Sequence, residues 1–540
     1  MIRCNILRRP SGLVALHGCR NLETLLISSR TGVVQSCNWP FYESGVRVFH
    51  DKQLLRSNDE RGYEILDHDL YSKSITELCC CTKLKTIPSS IGNLSKLIKL
   101  DLTNCESLET FPELAMTMEN LEVLILDKTA IKELPSSLHH LVGLEELSLR
   151  SCTKLKTIPS SIGNLSKLIK LDLTCCESLE TFPELEVIME NLEVLILEET
   201  TIKELPSSLH HLVGLEELSL RSCTKLKNIP SSIGNLSKLI KLDLTDCESL
   251  ETFPELKVTM ENLEVLILDK TAIKELPSSF HHLAGLEELN LRSCTKLKII
   301  PSSIGNLSNL VKLDLSDCES LETFPELEVT MENLEVLILD ETTIKELTSS
   351  FHHLVGLEEL SLRNCTKLKT IPSSIGNLSK LIKLDLTNCE SLETFPELEV
   401  TMENLEVLIL DKTTIKKIPS SFHHLAGLEE LSLRNCTKLE TIPSSIGNLS
   451  KLIKLDLSEC ESLETFPELE VTMENLEVLI LDKIAIKELP SSFHYFIGLE
   501  ELSLRSCSKL KTIPSCIGNL CSLSKLDVTN YESLQSSNFF

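Results

Sequence analysis

The chain lacks any run approaching the ~20 unbroken apolar residues that a membrane-spanning helix requires. It is also poor in basic charge. Its 540 residues carry 53 Lys and Arg against 80 Asp and Glu, a formal net charge of −27. Nucleic-acid phosphates demand clustered cations, so a nucleic-acid partner is not expected. The acid is spread evenly: residues 152–222 hold twelve Asp or Glu against six Lys or Arg, as on a solvated surface. Met1 to Cys19 include Arg3, Arg8 and Arg9 but no apolar core of signal-peptide length. A chain that is neither secreted nor anchored is expected to be cytoplasmic. The sequence also contains no G-x-x-x-x-G-K-[ST], G-x-S-x-G or H-E-x-x-H motif, so no catalysis and no cofactor are expected.

What is present is a repeat. A cysteine recurs every 71 residues at Cys81, Cys152, Cys223, Cys294, Cys365, Cys436 and Cys507. Each copy divides into three arcs of 24, 24 and 23 residues. In one copy the first arc reads Leu144-xx-Leu147-x-Leu149-xx-Cys152-xx-Leu155-xx-Ile158-Pro159. The second reads Leu168-xx-Leu171-x-Leu173-xx-Cys176-xx-Leu179-xx-Phe182-Pro183, and the third Leu192-xx-Leu195-x-Leu197-xx-Thr200-x-Ile202-xx-Leu205-Pro206. That spacing is a leucine-rich-repeat signature three times over. It predicts an α/β leucine-rich-repeat solenoid of about twenty repeats, a curved horseshoe with a parallel sheet on the concave face. Returns of about twenty residues, broken by Pro and Ser, predict loops, short helical turns and 3₁₀ pieces on the convex face, with serines as caps. The array is expected over residues 73–540. Residues 1–72, with a degenerate half repeat at Val14–Leu25 and the only tryptophan, Trp39, form an irregular segment that is either a cap or disordered.

Of the 21 cysteines, thirteen fill one slot just after the strand, seven in first arcs and six in second arcs. Third arcs place Thr129, Thr200, Thr271, Thr342 and Thr413 there. Interchange with threonine points to small, buried, reduced thiols rather than cross-links. The histidine pairs, His139-His140 and its equivalents, recur about 15 Å apart at three strand spacings and do not converge as metal ligands. The carboxylates of Phe182-Pro183-Glu184-Leu185-Glu186 read as a solvated face. Asn-x-Ser sequons recur at Asn93, Asn164, Asn235, Asn306, Asn377 and Asn448, where the asparagine is expected to serve the turn after the glycine.

Alternation along the strand exposes Glu146, Ser148 and Arg150 in the first arc, Lys170, Asp172 and Thr174 in the second, and Val194, Ile196 and Glu198 in the third. Side by side, Glu146 faces Lys170 and Arg150 lies diagonal to Asp172. The row Ile125, Ile196, Ile267, Ile338, Ile409 and Ile480 is expected to stand exposed at the centre of the concave face. Polar rows flank it, among them Arg150, Arg221 and Arg292 and Asp172, Asp243 and Asp314. Together they form the candidate protein-binding surface. Differences between copies cluster beside it, at Asn104, Cys175, Asp246, Asp317, Asn388 and Glu459.

The unit resembles the repeat region of plant intracellular disease-resistance receptors, the nucleotide-binding leucine-rich-repeat proteins with a Toll/interleukin-receptor-like N-terminus. The likeness rests on Cys176-xx-Leu179-xx-Phe182-Pro183-Glu184, on Met189-Glu190-Asn191-Leu192, and on Thr200-x-Ile202-Lys203-Glu204-Leu205-Pro206. It covers about residues 73–540, with local departures at Thr348 and Ile484. The resemblance implies a non-catalytic sensor whose partner is a pathogen effector, a host protein or a nucleotide-binding switch domain of another chain. No phosphate-binding loop is present, so it implies the sensor portion only. The alternative is an extracellular receptor-like or inhibitor-like repeat protein, for which the sequons and Ile158-Pro159 speak. Against it, that pattern places a glycine where this chain has Lys156.

Overall fold

The computed structural model describes residues 79–530, apart from 512, 514 and the side chain of Cys516, together with the backbone of six short strands before residue 79. The degenerate half repeat, Trp39 and the tail from residue 531 onward lie otherwise outside the described residues. Contacts divide the chain into two units, Met1–Ile267 and Leu268–Phe540.

From Lys99 onward each unit is a stack of arcs, and each arc contributes one three-residue strand. In the first unit, strands from Lys99–Asp101 to Val265–Ile267 pair in parallel, each with its sequence neighbours. The second unit repeats this from Glu288–Asn290 to Lys525–Asp527. The register is set by the leucines: Leu124, Leu147, Leu171, Leu195 and Leu218 are direct partners across successive strands. All five are 0% exposed. A one-residue slip would turn this file of leucines to solvent, and each buried leucine is worth roughly 1.5–3 kcal/mol.

The strands stop after three residues for a backbone reason. Among the described residues, twenty that are not glycine have positive φ, from Cys80 at 63° to Asn530 at 61°. They recur at 24, 24 and 23 residues, each one position before the Cys/Thr slot, as at Ser151, Cys175 and Glu199. A left-handed residue there turns the chain inward, yet its N–H still extends the ladder. Ser151 N donates to the Thr174 carbonyl at 2.7 Å and Cys175 N to the Glu198 carbonyl at 2.8 Å.

The returns differ between arcs. First and third arcs each make one 3₁₀ turn, Ser160–Asn164 and Ser207–His211 in one copy. The second arc runs extended through Phe182-Pro183, burying Phe182, Leu185 and Met189. In the second unit, this phenylalanine packs at a steep angle against one from the next arc, with Phe324 and Phe351 centroids 5.2 Å apart and their planes inclined by 59°. Among the turns whose N-cap is described, the expected serine caps are not found. The N-cap is Pro159 or Pro206, with no side-chain cap bond, and the serines lie inside the turns. In the third arc, Glu184 of the arc before accepts from Ser208 N at 3.1 Å, while Ser208 Oγ accepts from Leu185 N at 2.8 Å. The carboxylate reaches the free N–H because proline has already fixed the entry to the turn.

The slot cysteines are buried and free. Cys152 Sγ donates to the Leu126 carbonyl at 3.1 Å and Cys176 Sγ to the Leu149 carbonyl at 3.2 Å. The slot threonine joins the same ladder. Thr200 Oγ1 donates to the Leu197 carbonyl at 2.8 Å and lies 3.2 Å from Cys223 Sγ. Burial pushes the Cys223, Cys294, Cys365 and Cys436 thiols up to about 11.

Candidate functional site: the outer face of the sheet

Three rows of side chains cover the outer face, and cross-strand register fixes their order. Glu146, Lys170 and Val194 are direct partners, as are Ser148, Asp172 and Ile196. The row beyond them carries Arg150, Thr174 and Glu198. The expected ion pairs form: Lys170 Nζ lies 3.8 Å from Glu146 Oε1, and Arg150 lies 3.7 Å from Asp172 Oδ2. In the second unit the Lys–Glu pair tightens to 2.7 Å at Lys383–Glu359 and Lys454–Glu430. These partners are about 40% exposed, so each pair contributes about 0–1 kcal/mol at most.

The isoleucine row is placed differently from the expectation. Ile125, Ile196, Ile267, Ile338, Ile409 and Ile480 are half-buried, not exposed. Ile125, Ile196, Ile338, Ile409 and Ile480 each stand between an aspartate on one neighbouring strand and a serine on the other, as Ile196 does between Asp172 and Ser219. At ~4.8 Å between strands, those neighbours shield its flanks and leave only its outer edge open.

The aspartate row is largely committed to the fold. Asp172 is 3% exposed, and its Oδ1 accepts from Thr174 N at 3.0 Å and from Thr174 Oγ1 at 2.6 Å. Asp243 does the same with Thr245, and Asp314 with Ser316. Third-arc carboxylates hold the following arc. Asp127 Oδ1 accepts from Ser148 Oγ at 2.6 Å and from Arg150 N at 2.9 Å. Burial raises the Asp127, Asp340 and Asp411 carboxyls above the usual range despite these donors. The arginines diverge: Arg292 turns to Asp317 at 3.7 Å, whereas Arg221 makes no ion pair among the described residues.

The positions that vary between copies, Asn104, Cys175, Asp246, Asp317, Asn388 and Glu459, are second-arc members of the left-handed row. That backbone role is not readable from their side chains. Neighbours in this row touch. Asn388 Nδ2 donates to Asn364 Oδ1 at 3.0 Å, Asn364 Nδ2 to Glu341 Oε1 at 3.2 Å, and Lys483 Nζ to Glu459 Oε1 at 3.0 Å.

Away from the sheet, His139 and His140 use Nδ1 on the carbonyls of Ser136 and Leu114 at 2.9 and 2.7 Å. Among the described residues, no three His, Cys, Asp or Glu are grouped to hold a metal. The sequon asparagine Asn164 is exposed at the end of its turn. The side chain that secures this turn is Asn191, whose Nδ2 donates to the Ser166 carbonyl at 2.7 Å. The anchoring role expected of Asn164 thus falls to an asparagine one arc later, which faces the carbonyl across the stack.

Short parallel strands, an inward leucine file and a patterned outer face define a leucine-rich-repeat protein-interaction scaffold, a fold that is not itself catalytic. A family described as "Disease resistance protein RPS4B-like, leucine-rich repeats" matches residues 93–171, 164–241 and 235–320. The general leucine-rich-repeat family matches 356–378, 427–449 and 498–520. The matched stretches are leucine-rich repeats, and residues 93–320 are similar to the repeat region of plant disease-resistance proteins. Disease resistance-like protein DSC1 of Arabidopsis thaliana is 45% identical over 51 residues, 9% of this chain and 4% of that protein. Disease resistance protein RPS4B of the same plant is 29% identical over 127 residues, 22% of this chain and 10% of that protein. The chain thus spans a tenth or less of the curated relatives it matches. Among solved structures, YopM from Yersinia enterocolitica is 20% identical with a TM-score of 0.47, covering 90% of this chain and 85% of that one. The leucine-rich-repeat protein LIC12759 of Leptospira interrogans is 24% identical with a TM-score of 0.44, covering 80% and 96%.

Among the described residues, no helix is long and apolar enough to cross a membrane.

Proposed function

We propose that this chain is the sensor segment of a plant disease-resistance receptor, acting in the cytoplasm and recognising another protein through the outer face of its sheet. The recognised protein is a pathogen effector, a guarded host protein or the nucleotide-binding switch domain of another chain. The observation that carries this reading is the match of residues 93–320 to RPS4B-like repeats, on a scaffold whose outer rows repeat almost unchanged. A preformed sheet loses little conformational entropy on binding, so modest contacts suffice. The half-buried isoleucines supply fixed apolar edges, with the Glu146–Lys170 and Arg150–Asp172 pairs around them. The buried, hydrogen-bonded thiols suit a reducing compartment.

The extracellular reading keeps one observation in its favour: the sequon residues Asn93, Asn164, Asn235, Asn306, Asn377 and Asn448 are all exposed. Expression in plant cells separates the two. The cytoplasmic reading predicts no glycosidase-sensitive mass shift and modification of the slot thiols only after denaturation; glycan on Asn164 or a Cys152–Cys176 bridge would reverse it. As a sensor segment without a phosphate cradle, the chain is expected to give no saturable ATP or ADP binding by calorimetry.

A further inference from the structure

The chain enters its strands through a row of side chains that lies outside the three rows of the outer face. In the first unit this row reads Ile98, Glu122, Glu145, Ile169, Glu193 and Glu216, one apolar residue and then two glutamates in each copy. The second unit keeps that order from Glu287 and Val311 to Glu500, with no basic member. The backbone strings the row together. Val311 N donates to the Glu287 carbonyl at 2.8 Å, Glu335 N to that of Val311 at 2.9 Å, Glu358 N to that of Glu335 at 2.8 Å and Ile382 N to that of Glu358 at 2.8 Å. Successive members are therefore next-strand neighbours, ~4.8 Å apart. Ile382 is 37% exposed and Ile453 36%, more open than the half-buried isoleucines of the sheet centre.

The acid of this row is not used by the fold. Among the described residues none of its glutamates makes an ion pair or a side-chain hydrogen bond. The lysines of the adjoining outer-face row are taken one for one by other glutamates, Lys312 by Glu288 at 2.9 Å and Lys383 by Glu359 at 2.7 Å. Further cations are few. Two residues before the apolar member stand Lys380 and Lys451, but the equivalent residue in the copy before them is Asn309. Glu332, Glu403 and Glu474 add acid at the same margin. With the seven glutamates of the row, ten carboxylates in the second unit accompany two lysines. Like charges on neighbouring strands are destabilising, so this margin costs the fold a little and leaves its carboxylates open to an outside partner.

We infer that this entry margin docks a basic amphipathic helix of a partner protein, lying across the strands. The site is separate from the isoleucine row at the sheet centre and adds a second contact surface to the proposed function. The period of the row selects a helix. One helical turn advances ~5.4 Å, close to the ~4.8 Å from strand to strand, so each turn meets one row member. An extended segment repeats a face only every ~6.8 Å and falls out of step after one strand. The matching helix carries an apolar residue every eleven positions, three turns apart, with Lys or Arg four and seven residues after it. Its apolar side chains meet Val311, Ile382 and Ile453, and its cations reach the glutamate pairs between them. Charge complementarity brings such a helix to this margin, and the apolar contacts set its register.

The test uses the full chain and an acetylated, amidated, alanine-rich helical peptide with leucine every eleven residues and lysine four and seven residues after each leucine. Its control has the same composition and charge with the lysines moved to the opposite face. A chain of net charge −27 attracts any cation, so the comparison is made at physiological salt, where general attraction is screened. The striped peptide is expected to bind at least about tenfold tighter than its control. Glu335→Gln/Glu358→Gln/Glu406→Gln should remove that advantage, and Ile382→Ser should weaken binding about fivefold. Glu328→Gln/Glu399→Gln/Glu470→Gln, which removes three exposed carboxylates from the returns, should leave it unchanged. Glutamine matches glutamate in shape, so both triple variants retain the fold. Equal affinity for the two peptides, or equal loss in the two triple variants, overturns the proposal. Ile338→Thr/Ile409→Thr alters only the sheet centre and should bind the striped peptide as wild type does, so this site and the central face fail separately; loss of the peptide there instead of at the margin also overturns the proposal.

Discussion

At the scale of single residues, the slot after each strand ties packing to proton binding. A buried thiol holds its proton more tightly than an unfolded one, so its contribution to stability is intact below its ordinary value of 9.0. That contribution is lost as pH rises through about 11, where Cys223, Cys294, Cys365 and Cys436 ionise. Denaturant melts are therefore expected to show a fall in stability across this window. Replacing those four cysteines with threonine, which already fills the third-arc slot, should lessen the fall without abolishing it, since burial raises the second-arc thiols further still, and cost under about 1 kcal/mol per site at neutral pH. A fall that persists undiminished in the fourfold variant would place its origin elsewhere. The same burial predicts that a thiol reagent labels the exposed Cys521 in the native chain and reaches the slot cysteines only in denaturant.

At the scale of the arc, two backbone positions matter that hydrophobic periodicity does not reveal. One is the left-handed residue. Its place is periodic, yet it is occupied by Ser, Asn, Asp, Cys, Lys or Glu, so side-chain identity gives no warning of positive φ. Lys128→Gly should raise stability by about 0.5–1 kcal/mol in denaturant titrations, because glycine adopts this conformation without a β-carbon clash. The other is the link from third to first arc. A β-carbon on Gly214 would lie 2.1 Å from the Glu190 carbonyl oxygen, a backbone atom that cannot step aside. Gly214→Ala is expected to cost more than about 2 kcal/mol, whereas Gly163→Ala, whose β-carbon would meet Leu185 at 3.5 Å, should be near neutral.

The strand faces were legible in the sequence because leucine spacing fixes which side chains point inward. Register then gave the Glu146–Lys170 and Arg150–Asp172 contacts. The degree of exposure was not legible. Whether Ile196 stands open depends on the size and bonding of Asp172 and Ser219 on strands more than twenty residues away. Turn anchoring failed for the same reason: Asn191 and Glu184 reach across to the neighbouring arc, and nothing local distinguishes them from Asn164 or a capping serine.

At the scale of the whole molecule, the proposed function is partner recognition by the outer sheet face. The direct measurement is quantitative capture of proteins from plant extract. It compares the wild-type chain with Ile267→Thr/Ile338→Thr/Ile409→Thr and with a return-side control, His210→Ser/His281→Ser/His352→Ser. Threonine keeps the β-branched shape that these half-buried strand positions favour, so the first variant should melt within several degrees of wild type. The isoleucine variant is expected to lose the specific partners at least tenfold while the histidine variant retains them. Equal capture by the isoleucine variant, or loss confined to the histidine variant, would contradict recognition by the sheet face and move it to the returns.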